Sequence, residues 1–140
     1  MAHTVPNHAL GLMLTRLVAG KTLKMLLVDA TSDLDENDDY PADAGTLGEI
    51  TASGYSRQTL TNVGITVDDV NNRAELDCDP VTFSSVASGD TVTKAVIIEF
   101  VTDDSDSPVL AIIDVTDRAT NGSDLVFTPG ADGFLHASQA

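Results

Sequence analysis

Tryptophan is absent from this chain, cysteine occurs once, lysine three times, and no apolar run is long. A single cysteine, Cys78, excludes an intramolecular disulfide and any zinc site built from cysteines. Its alternation with Ala74 and Leu76 reads as a small, buried apolar residue. No apolar stretch approaches the ~20 residues that a membrane-spanning helix needs. Arg16 interrupts the first apolar segment, so no secretory signal is read and export by the usual route is not expected. Seven basic residues stand against 22 acidic ones, a net charge of −15. Binding to nucleic acid relies on Lys and Arg against phosphate, so this balance argues against it.

The machinery of catalysis is equally thin. The three histidines are His3, His8 and His136, with no pair at a zinc-binding helical spacing. No Gly-x-Ser-x-Gly elbow and no Gly-rich phosphate cradle occur. Carboxylates lie near one another, but with 22 of them proximity is expected by chance. No catalytic or cofactor-binding residue is assigned, and the expectation is a protein that is not an enzyme.

What is abundant is aspartate, 18 residues against four glutamates. The acids are spread along the chain, and 42% of residues are hydrophobic in well-patterned strands, so global disorder is not expected. A dispersed acidic shell with little lysine suits molar salt, where the Debye length shrinks to ~3 Å and self-repulsion is screened. The reading is a halophilic host, a haloarchaeon. As metal ligands the acids are weak candidates. Asp33–Asn37 opens like a calcium loop, but Asp38 replaces the glycine and Ala44 the bidentate glutamate that such a loop requires. Asp103, Asp104 and Asp106, and the pair Asp77 and Asp79, read first as solvated loops and second as holders of structural cations between subunits. Asn121-Gly122-Ser123 fits a glycosylation pattern and reads as a plain turn.

Taken in order, residues 1–6 form a lead. Asn7 stands at an N-cap position, Leu10, Met13, Leu14, Leu17 and Val18 recur at helical spacing, and Gly20 sits where a helix would end. A helix of about twelve residues is marginal alone and must dock, on its own sheet or on a neighbouring subunit. Thr22–Ala30 reads as an interior strand and residues 31–49 as an acidic surface excursion. Residues 50–60 read as an extended edge carrying Gly54-Tyr55 and Arg57. Val63, Ile65 and Val67 alternate up to a turn at Asp68–Asn72, and the return puts Ala74, Leu76 and Cys78 inward with Glu75, Asp77 and Asp79 outward. In residues 91–115 both faces are apolar: Val96, Ile98 and Phe100 oppose Ala95, Ile97 and Val101, so this pair of strands belongs at the centre. Short strands at Asp124–Thr128 and Ala131–His136 close the chain. The whole is mainly β: an antiparallel β-sandwich or Greek key with one short N-terminal helix. Residues 1–21 are expected to form a contact element and 22–140 a single β-sandwich domain. Arg57, in so acidic a chain, is expected in a buried or interfacial ion pair or in a surface salt bridge.

Several stretches together resemble a family of short virion structural proteins of tailed phages. The landmarks are Lys24–Val28, the acidic loop ending near Tyr40, Gly54-Tyr55, the hairpin Val67–Ala74, Ala95–Phe100, and Ser107–Leu110 leading to Ile113-Asp114. Asn121-Gly122 and Ala131–Phe134 complete them, so that the resemblance spans residues 22–136. Where such proteins often carry tryptophans, Phe83 and Phe127 stand here, and the acidity exceeds the usual. The resemblance implies a virion component without enzymatic activity; with the acidity, the expectation is a capsid decoration or cement protein on the outside of an HK97-like head, made in the host cytoplasm. The expected partners are the major capsid protein, or tail proteins, and further copies of itself as a homo-oligomer, a trimer, with no nucleic acid and no membrane. Leu10, Met13, Leu14, Leu17, Val18 and Arg57 are the expected interface residues. A tail, baseplate or fibre-associated protein is the alternative within the same class, and a glycan-binding attachment module the alternative outside it, although six aromatics leave few for a sugar platform.

Overall fold

A computed structural model of the protein describes residues 2–139. One helix, α1 (Asn7–Val18), precedes β1 (Leu23–Val28), β2 (Gln58–Thr59), β3 (Gly64–Asp68), β4 (Arg73–Asp77) and β5 (Val81–Phe83). There follow β6 (Thr91–Glu99), β7 (Val109–Ala119), β8 (Leu125–Phe127) and β9 (Leu135–Ser138). All strand pairs are antiparallel, in sheets ordered β2-β1-β6-β7, β3-β4-β9 and β5-β8. The architecture is mainly β and β-sandwich-like with a single N-terminal helix, as the strand patterning predicts.

The period-2 alternation of β1 and β6 sorts their side chains onto two apolar faces. Met25, Leu27, Ala95 and Ile97 enter the main core, where they meet Leu76, Phe83 and Phe127 from the smaller sheets. The Phe83 ring meets Phe127 edge-on at 5.9 Å and stacks with Tyr55 at 5.8 Å, geometries that aromatic pairs favour. On the opposite face, Leu26, Val28, Val96 and Ile98 are covered by Leu34, Ala44 and Leu47. The acidic excursion is therefore structural, because it closes the second face of the large sheet. Its base is zipped by Asp29 N–H to Gly48 O (2.9 Å) and Asp33 N–H to Thr46 O (3.0 Å). Its tip is tied to the β6–β7 hairpin by Ala42 N–H to Asp104 O (3.0 Å) and Val109 N–H to Asp39 O (2.9 Å).

Helix α1 lies on the β3-β4-β9 sheet, burying Leu10 and Leu14 against Ala74, with Ile65, Leu135 and Ala137 around them. Gly11 makes the approach possible, since a Cβ there would stand 2.7 Å from the Val67 methyl. The expected cap is displaced by one residue: Pro6 holds the N-cap position, and Asn7 begins the helix with its amide donating to Asp69 Oδ1 at 3.0 Å. Ala19 ends it, followed by Gly20 at φ +69°.

Other local expectations shift. Glu75, expected outward, is 6% exposed, because the Arg73 guanidinium lies beside it (2.6 Å) and also donates to Ala131 O. Val101, expected on an inner face, is exposed, since β6 ends at Glu99. The last strand begins at Leu135, because Gly130–Gly133 makes a turn whose Gly133 presses on the backbone of β4. Cys78 is half-buried, and burial pushes its thiol up to about 11.

Candidate functional site

The densest polar constellation forms where β1 loses its outer neighbour. β2 covers only Lys24 and Met25, so the Leu27 N–H on that edge needs another acceptor. Tyr55, three residues before β2, supplies it: Leu27 N–H donates to Tyr55 Oη at 3.0 Å. The Tyr55 hydroxyl donates in turn to Glu49 Oε1 at 2.7 Å, and Glu49 is fixed by its bridge to Val28. Arg57 then clamps two carboxylates. It donates to Glu49 through Nε (2.8 Å) and Nη2 (2.6 Å), and to Asp104 through Nη1 (2.6 Å) and Nη2 (3.1 Å). This is forked guanidinium recognition that lysine does not reproduce.

The electrostatics follow from the contacts. Burial first, then the Glu49 charge, pushes the Tyr55 phenol far above its ordinary value. Hydrogen bonding to Glu49 raises Arg57, which stays charged. Each guanidinium nitrogen of Arg57 and the Tyr55 hydroxyl donates to an acceptor within the chain, and no described buried side-chain N or O lacks a partner. The arrangement fastens the sheet edge (Glu49, Tyr55, Arg57) to the β6–β7 hairpin (Asp104).

The weak cation candidates are separated by their partners. Asp104 faces Arg57; Asp103 Oδ1 accepts from the Ser105 N–H (2.8 Å) and hydroxyl (2.6 Å). Asp106 Oδ1 accepts from the N–H groups of Thr102 and Asp103, both at 2.9 Å, and the Asp103 amide foremost holds its carboxyl below the ordinary value. Asp79 accepts from Thr61 and Asn62. Within Asp33–Asp38 the carboxylates bond neighbouring backbone: Asp33 the Thr46 N–H, Asp35 the Asn37 N–H, Asp38 the Asp35 N–H. Among the described residues, no group of three His, Cys, Asp or Glu is placed to hold a metal ion.

The helical candidates divide. Leu10 and Leu14 are buried in the chain's own core, and Val18 packs at the edge of the main core. Met13 and Leu17 face solvent at 60% and 39% exposure. Leu12, which lies outside the helical spacing of the other apolar residues, joins them at 39%. Arg57 lies just before β2, beside the other sheet, and is not brought to this face. The sequence does not single out Glu49 and Asp104 as its partners; a lone arginine signals that a partner exists, but not which of 22 acids it is.

Comparison of the chain with family models, with curated proteins and with solved structures finds no match.

Proposed function

We propose that this chain is a non-enzymatic structural protein of a virion, from a tailed virus of a haloarchaeal host, and that it decorates the outside of an HK97-like capsid. One observation carries the reading furthest: the polar side chains are spent on rigidity. Asp29, Asp35, Asp43, Asp68, Asp90, Asp103, Asp106 and Asp124 each accept backbone N–H groups that fix a loop. Loops stiffened in this way on a doubly covered sheet suit a component that must hold shape and grip a shell. The likeness to short tailed-phage virion proteins noted in the sequence points the same way. Charge favours the exterior, since a chain of net charge −15 next to packaged DNA would be repelled, whereas outside it keeps the particle solvated in brine.

Quantitative mass spectrometry of purified particles tests the reading. On the order of one copy per major capsid subunit is the expected ratio. A handful of copies per particle moves the chain to the tail or collar, and absence from the particle removes the virion role.

A further inference from the structure

The chain's charge is split sharply. Residues 1–28 hold Arg16, Lys21 and Lys24 and no acid, leaving four cations against 22 acids in the remainder. Lys21 is paired with Glu99 at 2.8 Å and Lys24 lies over the Phe100 ring, but Arg16 makes no ion pair with any described residue. At 3.6 residues per turn, Leu12 and Arg16 lie on the side of α1 opposite Leu10 and Leu14, and the exposed Met13 and Leu17 continue that surface round to the flank beside Leu10. A surface helix ordinarily puts charged and polar residues there; one that is apolar on both sides is a helix with something still to cover it.

A complementary surface exists on the same molecule. Between residues 34–38 and β7 runs a groove of about 500 Å³. Leu34 and Ile112 line its apolar part; Asp35, Glu36, Asp38 and Asp114 surround it, with Lys94 the one cation. Asp35 and Asp38 are engaged by their own loop, whereas the carboxylates of Glu36 and Asp114 accept no hydrogen bond from any described residue. The groove is acidic and apolar where the helix face is basic and apolar.

We propose that the outer face of α1 of one copy docks into this groove of a second copy, head to tail. Met13 and Leu17 cover the apolar part, and Arg16 pairs with Glu36 and Asp114. A helix laid into a groove is a recurrent recognition mode, and complementary charge sets its orientation. Helix-on-helix pairing would bring together two acid-free faces and leave Arg16 without a partner. An anionic bilayer is disfavoured as occupant by the charge of the whole chain. A contact between two different surfaces propagates into a ring or a filament. This holds whatever particle the chain belongs to, so copy number in virions tests the role while self-association tests this contact.

Sedimentation velocity in molar KCl decides it. Wild type is expected to associate with rising concentration. Met13→Glu/Arg16→Glu, which spoils the helix face, and Glu36→Lys/Asp114→Asn, which spoils the groove, should each sediment as monomer with unchanged circular dichroism. Mixed in equal amounts, they should form 1:1 dimers and nothing larger, because each retains the face that the other has lost. Should a double variant fail to fold, Arg16→Glu alone should weaken association about tenfold, and adding Glu36→Lys should restore it. A wild type that stays monomeric overturns the proposal, as does a groove variant that associates like wild type or a mixture that forms no dimer. So does a monomeric wild type whose binding to viral shells is lost on Met13→Glu, since the shell would then be the occupant.

Discussion

At the scale of single residues, the Arg57 clamp ties together segments far apart in sequence. Arg57→Leu leaves Glu49 and Asp104 facing each other with no cation between them. Because these side chains are between 19% and 37% exposed, the expected loss in denaturant unfolding is about 1–3 kcal/mol, below that of a fully buried pair. Arg57→Lys should recover only part of it, for want of the fork. Tyr55 and Asp106 set opposite ends of the pH range. The Tyr55 phenol is raised in the folded protein, so its contribution is complete below about pH 10 and is lost as pH climbs beyond. Asp106 is lowered, so its contribution is present above about pH 4 and is lost as acid protonates the folded carboxyl. Thermal midpoints across pH should show both shoulders, and Tyr55→Phe should flatten the alkaline one. Two glycines separate strain from contact. Gly122 (φ +89°) has open space around it and Gly122→Ala should cost about 1 kcal/mol. Gly133 (φ +72°) abuts the Leu76 carbonyl, and Gly133→Ala should exceed about 2 kcal/mol on the same assay.

At the scale of elements, α1 separates its own faces by their cost. Leu14→Ala should destabilise by about 2–4 kcal/mol, while Met13→Ala, exposed, should stay within about 0.5 kcal/mol in the same unfolding measurement. Removing the helix would uncover Ile65, Ala74 and Leu135, so a deletion of residues 1–19 would confound docking with stability. The helix, the β3–β4 hairpin and the two-faced β6 are legible in the chain because each is a local pattern: periods of 3.6 and 2, a turn rich in Asp and Asn. Which side of α1 faces the sheet is not legible, since Leu10, Met13, Leu14 and Leu17 all fit one broad stripe. The structure turns Leu10, Gly11 and Leu14 to the sheet, where a Cβ on Gly11 would meet Val67. The burial of Glu75 is hidden for a like reason, since the Arg73 that covers it is steadied by Ala131, far along the chain. Within an acidic excursion, Leu34 and Leu47 are the signs that the loop folds back to cover a sheet. Leu34→Ala should therefore cost about 2–4 kcal/mol, where a solvated loop would be indifferent.

For the whole molecule, −15 of net charge makes ionic strength a determinant of stability. The thermal midpoint should be higher in molar KCl than in dilute buffer; an unchanged midpoint would contradict the halophilic reading. Self-docking of α1 belongs to this scale as well, because it balances a basic end against an acidic body. The order of the large sheet bears on how the protein is made. β1 leaves the ribosome well before β6, yet Leu23 pairs with Glu99 and Val28 with Lys94. Until β6 has emerged, Leu23–Val28 lacks the partner for its inner edge, and Leu76, Phe83 and Ile97 are not all there to cover its main-core face. Contacts so distant in sequence form slowly, and an unpaired apolar strand is prone to association. The nascent chain thus depends on its acidic loops for solubility well before they can fold over the sheet.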